Sequence, residues 1–342
     1  MEKKNIDWGN LGFGYIVTDF RYVANYKDGA WEDGQLISDP NVTINECAGI
    51  LQYCQEVFEG LKAYTTKDGD IVTFRPDMNA ERMMDSAARL EMPVFPKEKF
   101  IEAVEQVVKA NAAFVPPYGS GATLYIRPYM FASGPVIGVK PALEYQFRMF
   151  CTPVGPYFKG GAKPITICVS DFDRAAPHGT GHIKAGLNYA MSLHAHEVAK
   201  EGGFDENMFL DPATRTYVEE TGGANFLFVT KDGKLVTPKS ESILPSITRR
   251  SLVEVAEKYL GLTVEHRPVR FDELEDFAEC GLCGTAAVIS PVGRVVAKDK
   301  VITFPAGMDE MGPITKKLYD TLTGIQQGLI EAPEGWIHKI EC

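Results

Sequence analysis

Apolar positions in this chain recur with two spacings, and the alternation between them predicts its elements. Ile71–Phe74 is a short β-branched run that reads as a strand, and Arg75-Pro76-Asp77 closes it as a turn. Asn79 is placed to cap a helix over 79–90, because Met83, Met84, Ala87 and Leu90 recur at helical spacing. Ile101, Val104, Val107 and Val108 repeat that pattern over 100–113, and the runs at 123–131 and Tyr145–Val154 read as buried strands. The stretch 155–164 is the densest in Gly and Pro between two structured halves. It divides the chain into a smaller N-terminal α/β domain (1–152), an interdomain loop (153–164) and a larger C-terminal domain (165–342).

The second half opens with a strand at 165–170, a loop to Lys184 and a helix over 187–200. Strands follow at 207–210 and Asn225–Thr230, the latter folding back through Lys231-Asp232-Gly233 onto 234–237. Ser246 caps a helix over 247–260, and strands at 286–289 and 295–302 precede a last helix over 312–327. Mixed order of this kind predicts an α+β or α/β chain in two domains.

Composition narrows the class. The 342 residues suffice for two cores, and 45% hydrophobic with 24% charged residues is ordinary for a globular chain. A formal charge of −11 argues against a nucleic-acid or anionic-membrane partner. No apolar run approaches the roughly 18–20 residues of a membrane span, and the first residues lack a signal-peptide core. Seven cysteines are an odd number for a disulfide framework, so reduced thiols in the cytoplasm are expected. Cys280 and Cys283 form a CxxC without a second pair at zinc spacing, and His194 and His196 are too close for a helical metal site. No metal is expected.

Four segments carry candidate chemistry. Lys184 lies among small residues in His178-Gly179-Thr180-Gly181-His182-Ile183-Lys184-Ala185-Gly186-Leu187-Asn188-Tyr189. A lysine partly withdrawn from water can form a Schiff base, while an ordinary surface lysine at a loop–helix junction is the alternative. Glu219 and Glu220 lead into Thr221-Gly222-Gly223-Ala224-Asn225, and in an extended chain only one of the two points into a given pocket. The capped helix start at Ser246-Ile247-Thr248 offers backbone amides and a positive dipole end to a phosphate. The run Gly281-Leu282-Cys283-Gly284-Thr285-Ala286-Ala287 reads as a turn whose amides can receive an anion.

In this order the four segments resemble the fold-type IV enzymes that use pyridoxal 5′-phosphate, and more narrowly the branched-chain amino acid aminotransferases. Glu220 with Asn225 five residues on, Leu235-Val236-Thr237, and Leu244-Pro245-Ser246-Ile247-Thr248-Arg249 follow that family's pattern; Leu227 stands where an aromatic is usual. The N-terminal half adds Phe58-Glu59-Gly60-Leu61-Lys62-Ala63-Tyr64, Phe74-Arg75-Pro76 with Asn79 and Arg82, Leu124-Tyr125-Ile126-Arg127-Pro128, and Pro153-Val154-Gly155-Pro156-Tyr157-Phe158. The likeness spans about residues 7–336. Lys184, Glu220 and the phosphate helix are common to the fold type, D-amino-acid aminotransferases and aminodeoxychorismate lyases included. The long N-terminal region and Tyr125-Ile126-Arg127 favour the branched-chain enzymes.

The resemblance implies the two-domain fold-type IV architecture and reversible amino transfer from leucine, isoleucine or valine to 2-oxoglutarate. On that likeness Lys184 would hold the cofactor and move the α-proton, Glu220 would pair with the pyridine nitrogen, and Tyr189 would bond the ring's 3′ oxygen. Arg82, the Ile247 and Thr248 amides and the Thr285 hydroxyl would hold the phosphate. The Thr285 and Ala286 amides would receive the α-carboxylate near Tyr125 and Arg127, and Arg127 would also suit the second carboxylate of glutamate. Tyr53, Phe58, Tyr157 and Tyr189 would form apolar walls. Val139 falls in a loop that family members lend to a neighbouring subunit, which implies a homodimer.

Overall fold

The computed structural model describes residues 2–155 and 162–342, and these form two units. The first unit comprises the chain up to residue 155 together with Ile183–Leu187 and Ile325–Cys342; the second comprises 162–182 and Asn188–Gly324.

In the first unit, eight strands run in chain order as β1 (Arg21–Lys27), β2 (Ala30–Trp31), β3 (Gln35–Ile37), β4 (Glu56–Phe58), β5 (Leu61–Thr65), β6 (Ile71–Phe74), β7 (Thr123–Ala132) and β8 (Tyr145–Val154). With the C-terminal strand Ile337–Ile340 they make one antiparallel sheet. Its order is C-terminal strand, β6, β5, β7, β8, β1, β2, with β3 on β1 and β4 on β7. Helices α1 (Gly49–Tyr53), α2 (Pro76–Arg89) and α3 (Lys97–Ala110) complete the unit. Side chains alternate along β7 and β8. Leu124, Ile126, Met130, Phe147 and Met149 point to one face and bury against Met83, Ala87, Phe100, Val104 and Val107 of α2 and α3. Phe95 stacks on Phe147 with ring centroids 3.9 Å apart. Tyr125, Arg127 and Tyr129 therefore stand on the opposite face, which leaves them available for chemistry.

The helix expected at 79–90 begins at Pro76, whose fixed φ suits the first helical position. Arg75, at φ 47°, turns the chain into the helix and lays its guanidinium 4.5 Å from the Trp336 ring. Asn79 is thus not a cap but a buried side chain on the first turn. At the other end of the chain, Ile337 pairs with Phe74 and Ile340 with Ile71, so the C-terminal strand covers the edge that β6 would otherwise expose.

The second unit holds β9 (Ile165–Val169), β10 (Glu206–Met208), β11 (Asn225–Thr230), β12 (Leu235–Pro238), β13 (Val264–Arg267), β14 (Phe277–Gly284), β15 (Val288–Ala297) and β16 (Lys300–Thr303). Their sheet is mixed, ordered β10, β9, β15, β14, β11, β12, β13, with β16 on β15. Helix α5 (Ile247–Lys258) lies in this unit, as does α6 (Pro313–Gln326) up to Gly324, and α4 (Gly186–Glu201) starts in the Ile183–Leu187 segment and continues into it. Phe226, Phe228, Phe277, Val292 and Val295 form its core. The turn expected over 281–287 is shorter: Gly281 to Gly284 finish β14, only Thr285, Ala286 and Ala287 turn, and β15 begins at Val288 rather than at 286. Cys280 and Cys283 consequently lie three positions apart on one strand, on opposite faces, with Cα atoms roughly 10 Å apart. That is beyond disulfide reach. Among the described residues no helix is long and apolar enough to cross a membrane.

Strand β14 also anchors α6. Buried Glu279 accepts from the Ile314 amide (3.0 Å), the Thr315 amide (2.7 Å) and the Thr315 hydroxyl (2.6 Å), and so caps the helix start from a distant strand. Glu279→Ala should lower the unfolding free energy by about 3 kcal/mol, since it strands several buried donors. Urea denaturation measures this, and a loss below about 1 kcal/mol would show that water replaces the cap.

Candidate active site

Lys184 is held by its backbone before its side chain is considered. Ile183 and Ala185 are buried in the core of the first unit, on either side of it. The Lys184 amide donates to Ser86 Oγ on α2 (3.0 Å), its carbonyl accepts from the Phe58 amide (3.1 Å), and the Gly186 amide donates to Glu56 Oε2 (2.8 Å). A Cβ at Gly186 would meet that same carboxylate, which would have to move aside. Nζ of Lys184 lies 4.7 Å from the centre of the Phe58 ring. The Arg127 guanidinium lies 5.0 Å from the same ring and 5.3 Å from that of Tyr125, and Nη2 donates to the Tyr125 hydroxyl (3.1 Å). No carboxylate lies within ion-pair distance of Arg127 among the described residues, and its buried Nε has no hydrogen-bond partner. Glu56 is near enough to feel both cations. Burial pushes its carboxyl above the usual range, opposed by the Gly186 amide and by the charges of Arg127 and Lys184.

Arg82, also in the first unit, is engaged on one edge. Its Nε and Nη2 each lie 2.7 Å from a Glu59 oxygen, and Glu59 further accepts from Asn79 Nδ2 (2.7 Å) and the Gly60 amide (3.2 Å). Tyr53 is half exposed and donates its hydroxyl to the Ile137 carbonyl. Val139, in the same loop as Ile137, is 89% exposed. Tyr157 lies outside the described residues.

In the second unit, Glu219 and Glu220 are both buried but take different partners. Glu219 Oε1 accepts from the Ser240 hydroxyl (2.9 Å) and the Ser242 hydroxyl. Glu220 Oε1 lies 2.5 Å from Arg174 Nη2 and accepts from the Leu244 amide (2.8 Å), while Oε2 accepts from Asn225 Nδ2 (2.7 Å). A carboxylate oxygen has room for two donors, so Oε2 retains an acceptor position. Burial pushes the Glu220 carboxyl up to about 7; Arg174, the Leu244 amide and Arg249 oppose this, and Glu219 adds to it.

Leu244 leads directly to the start of α5. Ser246 fills one of the four open amides there, its hydroxyl accepting from Arg249 (3.2 Å), and its carbonyl takes the first regular helix bond, from Arg250 (3.1 Å). The buried Ile247 and Thr248 amides have no acceptor among the described residues. Thr285 and Ala286 form the β14–β15 turn, and Gly284, just before it, lies against the Gly223 carbonyl. Tyr189 stands half-buried on α4, whose start is tied to the preceding loop by two bonds between Asn188 and Thr180 (2.7 and 2.8 Å).

A family model described as amino-transferase class IV matches residues 56–295. The chain belongs to the class IV aminotransferases. It is 53% identical to a branched-chain-amino-acid aminotransferase of Haemophilus influenzae, over 99% of this chain and 100% of that one. Its fold is similar to the branched-chain amino acid aminotransferase of Escherichia coli (TM-score 0.80, 28% identity, 95% of this chain and 100% of that one). It is also similar to the PLP-form enzyme of Thermobaculum terrenum (TM-score 0.78, 26% identity, 95% and 99%).

Within this class IV aminotransferase the expected residues fall into two groups. Lys184, Phe58, Tyr125 and Arg127 gather in the first unit, which also holds Arg82, Tyr53 and Val139; Glu220, Ile247, Thr248, Thr285, Ala286 and Tyr189 are in the second. Sequence reading missed Glu56 and Arg174. Glu56 meets its partner 130 positions away. Arg174 stands in Asp171-Phe172-Asp173-Arg174-Ala175-Ala176-Pro177, where no local pattern marks it. Among the described residues no three His, Cys, Asp or Glu side chains are placed to hold a metal ion.

Glu220 makes stability depend on pH. The folded carboxyl, near 7, holds its proton more tightly than the unfolded chain does, near 4.3. Its contribution is therefore most favourable below about pH 4 and is lost as pH rises towards 7, beyond which it is flat. The stability of Glu220→Gln relative to the parent, in cofactor-free protein, should rise by about 2–3 kcal/mol between pH 4.5 and 7.5. Parallel stability–pH curves for the two proteins would show that Glu220 does not titrate in that window.

Proposed function

We propose that this chain is a branched-chain-amino-acid aminotransferase that uses pyridoxal 5′-phosphate, passing the amino group of leucine, isoleucine or valine reversibly to 2-oxoglutarate. One observation carries the cofactor assignment. A buried carboxylate with one open acceptor position is bonded, through Leu244, to the segment that starts a helix with two open amides. A ring N–H suits the first and a phosphate the second.

Bound pyridoxal 5′-phosphate supplies a carbonyl that condenses with amines and a ring that accepts electrons from the substrate α-carbon. The residues of this chain supply the rest. Glu220 Oε2 would accept the pyridine N–H, and its negative charge would keep that nitrogen protonated. The Ile247 and Thr248 amides and the Thr285 hydroxyl would bind phosphate, with Arg82 adding charge, and Tyr189 would bond the 3′ oxygen. Lys184 Nζ would hold the cofactor covalently and, once displaced by the incoming substrate amine, would be the free base that takes the α-proton and hands it back. The Thr285 and Ala286 amides receive the α-carboxylate.

Phe58 and Tyr125 offer apolar and aromatic surface for a branched side chain, with Tyr53 and Tyr157 as further walls. Arg127, whose cation meets rings rather than a carboxylate, binds the distal carboxylate of glutamate and 2-oxoglutarate. The exposed Val139 and Ile137 form an apolar loop suited to the site of a second copy, which makes the enzyme a homodimer, and the cytoplasm is its compartment.

Lys184→Ala should abolish turnover of valine with 2-oxoglutarate while the protein stays folded. Substantial activity without added amine would overturn the assignment. Arg127→Met should slow the glutamate half-reaction by about 10- to 150-fold, the loss of a charge-assisted contact of roughly 1.5–3 kcal/mol. The leucine half-reaction should fall less, having no distal charge to lose. Single-turnover rates decide this, and equal losses in both would remove Arg127 from substrate selection.

A further inference from the structure

Arg174 has no part in the function proposed above, yet it is the guanidinium nearest Glu220. It is 5% exposed, and its Nη2 lies 2.5 Å from Glu220 Oε1, 2.7 Å from the Gly181 carbonyl and 2.6 Å from the Ser242 carbonyl. One nitrogen therefore meets three segments: the loop that ends three residues before Lys184, the turn that carries Glu220, and the loop that leads into α5. The approach is close enough that a Cβ on Gly181 would collide with the Ser242 carbonyl and lie 3.0 Å from Arg174 Nη2. Asp173, adjacent in sequence, is paired with Arg215 (3.1 Å) and so does not compete for Arg174.

We propose that Arg174 is a positioning residue. It favours the ionised form of Glu220 and occupies Oε1, so that Oε2 is the oxygen presented to the cofactor's ring nitrogen. The inference rests on the reading of Glu220 as the partner of that nitrogen. Without a cation at Oε1 the buried carboxyl would hold its proton to still higher pH, and a neutral acid offers the ring nitrogen no counter-charge. The charged and titratable groups facing Glu220 are Arg174, Arg249, Glu219 and the Cys283 thiol. Arg174 alone among them is within ion-pair distance. Arg249 gives its Nη1 to the Pro238 carbonyl (3.1 Å), and Glu219 is bonded to serine hydroxyls. A purely structural brace between Gly181 and Ser242 would need two hydrogen bonds and no charge, which makes the two roles separable.

Two variants separate them. Arg174→Gln removes the charge and keeps an N–H for the carbonyls; Arg174→Lys keeps the charge. Cofactor-free protein is titrated with pyridoxal 5′-phosphate from pH 5.5 to 8.5, following intrinsic fluorescence, and the stability–pH curve is measured on the same ligand-free samples. With Arg174→Gln the acid limb of cofactor affinity should move up by about one pH unit or more, about tenfold weaker binding near neutrality. The pH range over which stability falls should extend upward by the same amount. Arg174→Lys should stay near the parent in both readouts, and Arg174→Gln placed on Glu220→Gln should leave the pH profile of that variant unchanged. An unshifted acid limb in Arg174→Gln would overturn the proposal, as would a displaced one in Arg174→Lys, or an equal shift in the Glu220→Gln background. If the parent protein binds no pyridoxal 5′-phosphate, the cofactor reading falls and this role with it. The stability curves would still register the Arg174–Glu220 coupling, so the two failures look different.

Discussion

Burial of a single carboxylate, Glu220, constrains most of what surrounds it in the second unit. A charge removed from water is costly unless its hydrogen-bonding capacity is met, and the partners here come from three separate segments. Arg174 belongs to the loop between β9 and α4, Asn225 to the first residue of β11, and Leu244 to the approach to α5. None of the three could shift without exposing the charge to an unsatisfied interior. The carboxylate thereby fixes where the loop ahead of Lys184 lies and where α5 begins. The two open amides at Ile247 and Thr248 follow from that helix start, because Ser246 supplies acceptors for Arg249 and Arg250 only.

The first unit reaches order at Lys184 by another route. Strand alternation sends the apolar residues of β7 and β8 to the helical side, and leaves Tyr125 and Arg127 on the other face. Onto this unit the chain lays five residues, Ile183 to Leu187, with Ile183 and Ala185 as apolar anchors and backbone bonds to Ser86, Phe58 and Glu56. A lysine on a loop is usually mobile. One whose backbone donor and acceptor are both satisfied by neighbouring elements is fixed, and only its side chain keeps its freedom.

Sequence pattern reached the parts of the fold where one interaction decides the element. Buried apolar runs marked β7 and β8, and Ser246 marked α5 through a local hydrogen bond. It failed where several effects compete. Asn79 offered a good cap, but Pro76 and the left-handed Arg75 start the helix three residues earlier, and Asn79 serves Glu59 instead. Gly281 and Gly284 read as turn residues, yet they belong to β14, where a Cβ at Gly281 would lie 2.9 Å from the Ile289 side chain. Strands β1 to β5 are short and mix aromatic, charged and small residues, so no period stands out. Glu56 and Arg174 were invisible because their roles depend on partners brought together by tertiary folding.

On the proposed reading, Arg127 would let one site accept both an apolar and an acidic side chain. A guanidinium paired with a protein carboxylate would be unavailable to a substrate, and one left bare in an apolar pocket would be costly to bury. Here the cation rests beside the Phe58 and Tyr125 rings and donates to a phenol, contacts worth roughly 0.5–2 kcal/mol each at partly buried positions. That is enough to hold the side chain when a branched substrate is present. A distal carboxylate offers charge-assisted bonds about twice as strong as neutral ones, so it can draw on the same guanidinium without breaking an ion pair first. Glu56 sets a limit on this arrangement. Its carboxyl lies within the field of Arg127 but is bonded to the Gly186 amide, so it tempers the cation while remaining outside ion-pair distance. On that reading, selectivity between the two half-reactions would depend on how weakly the protein itself satisfies Arg127, whose buried Nε has no hydrogen-bond partner.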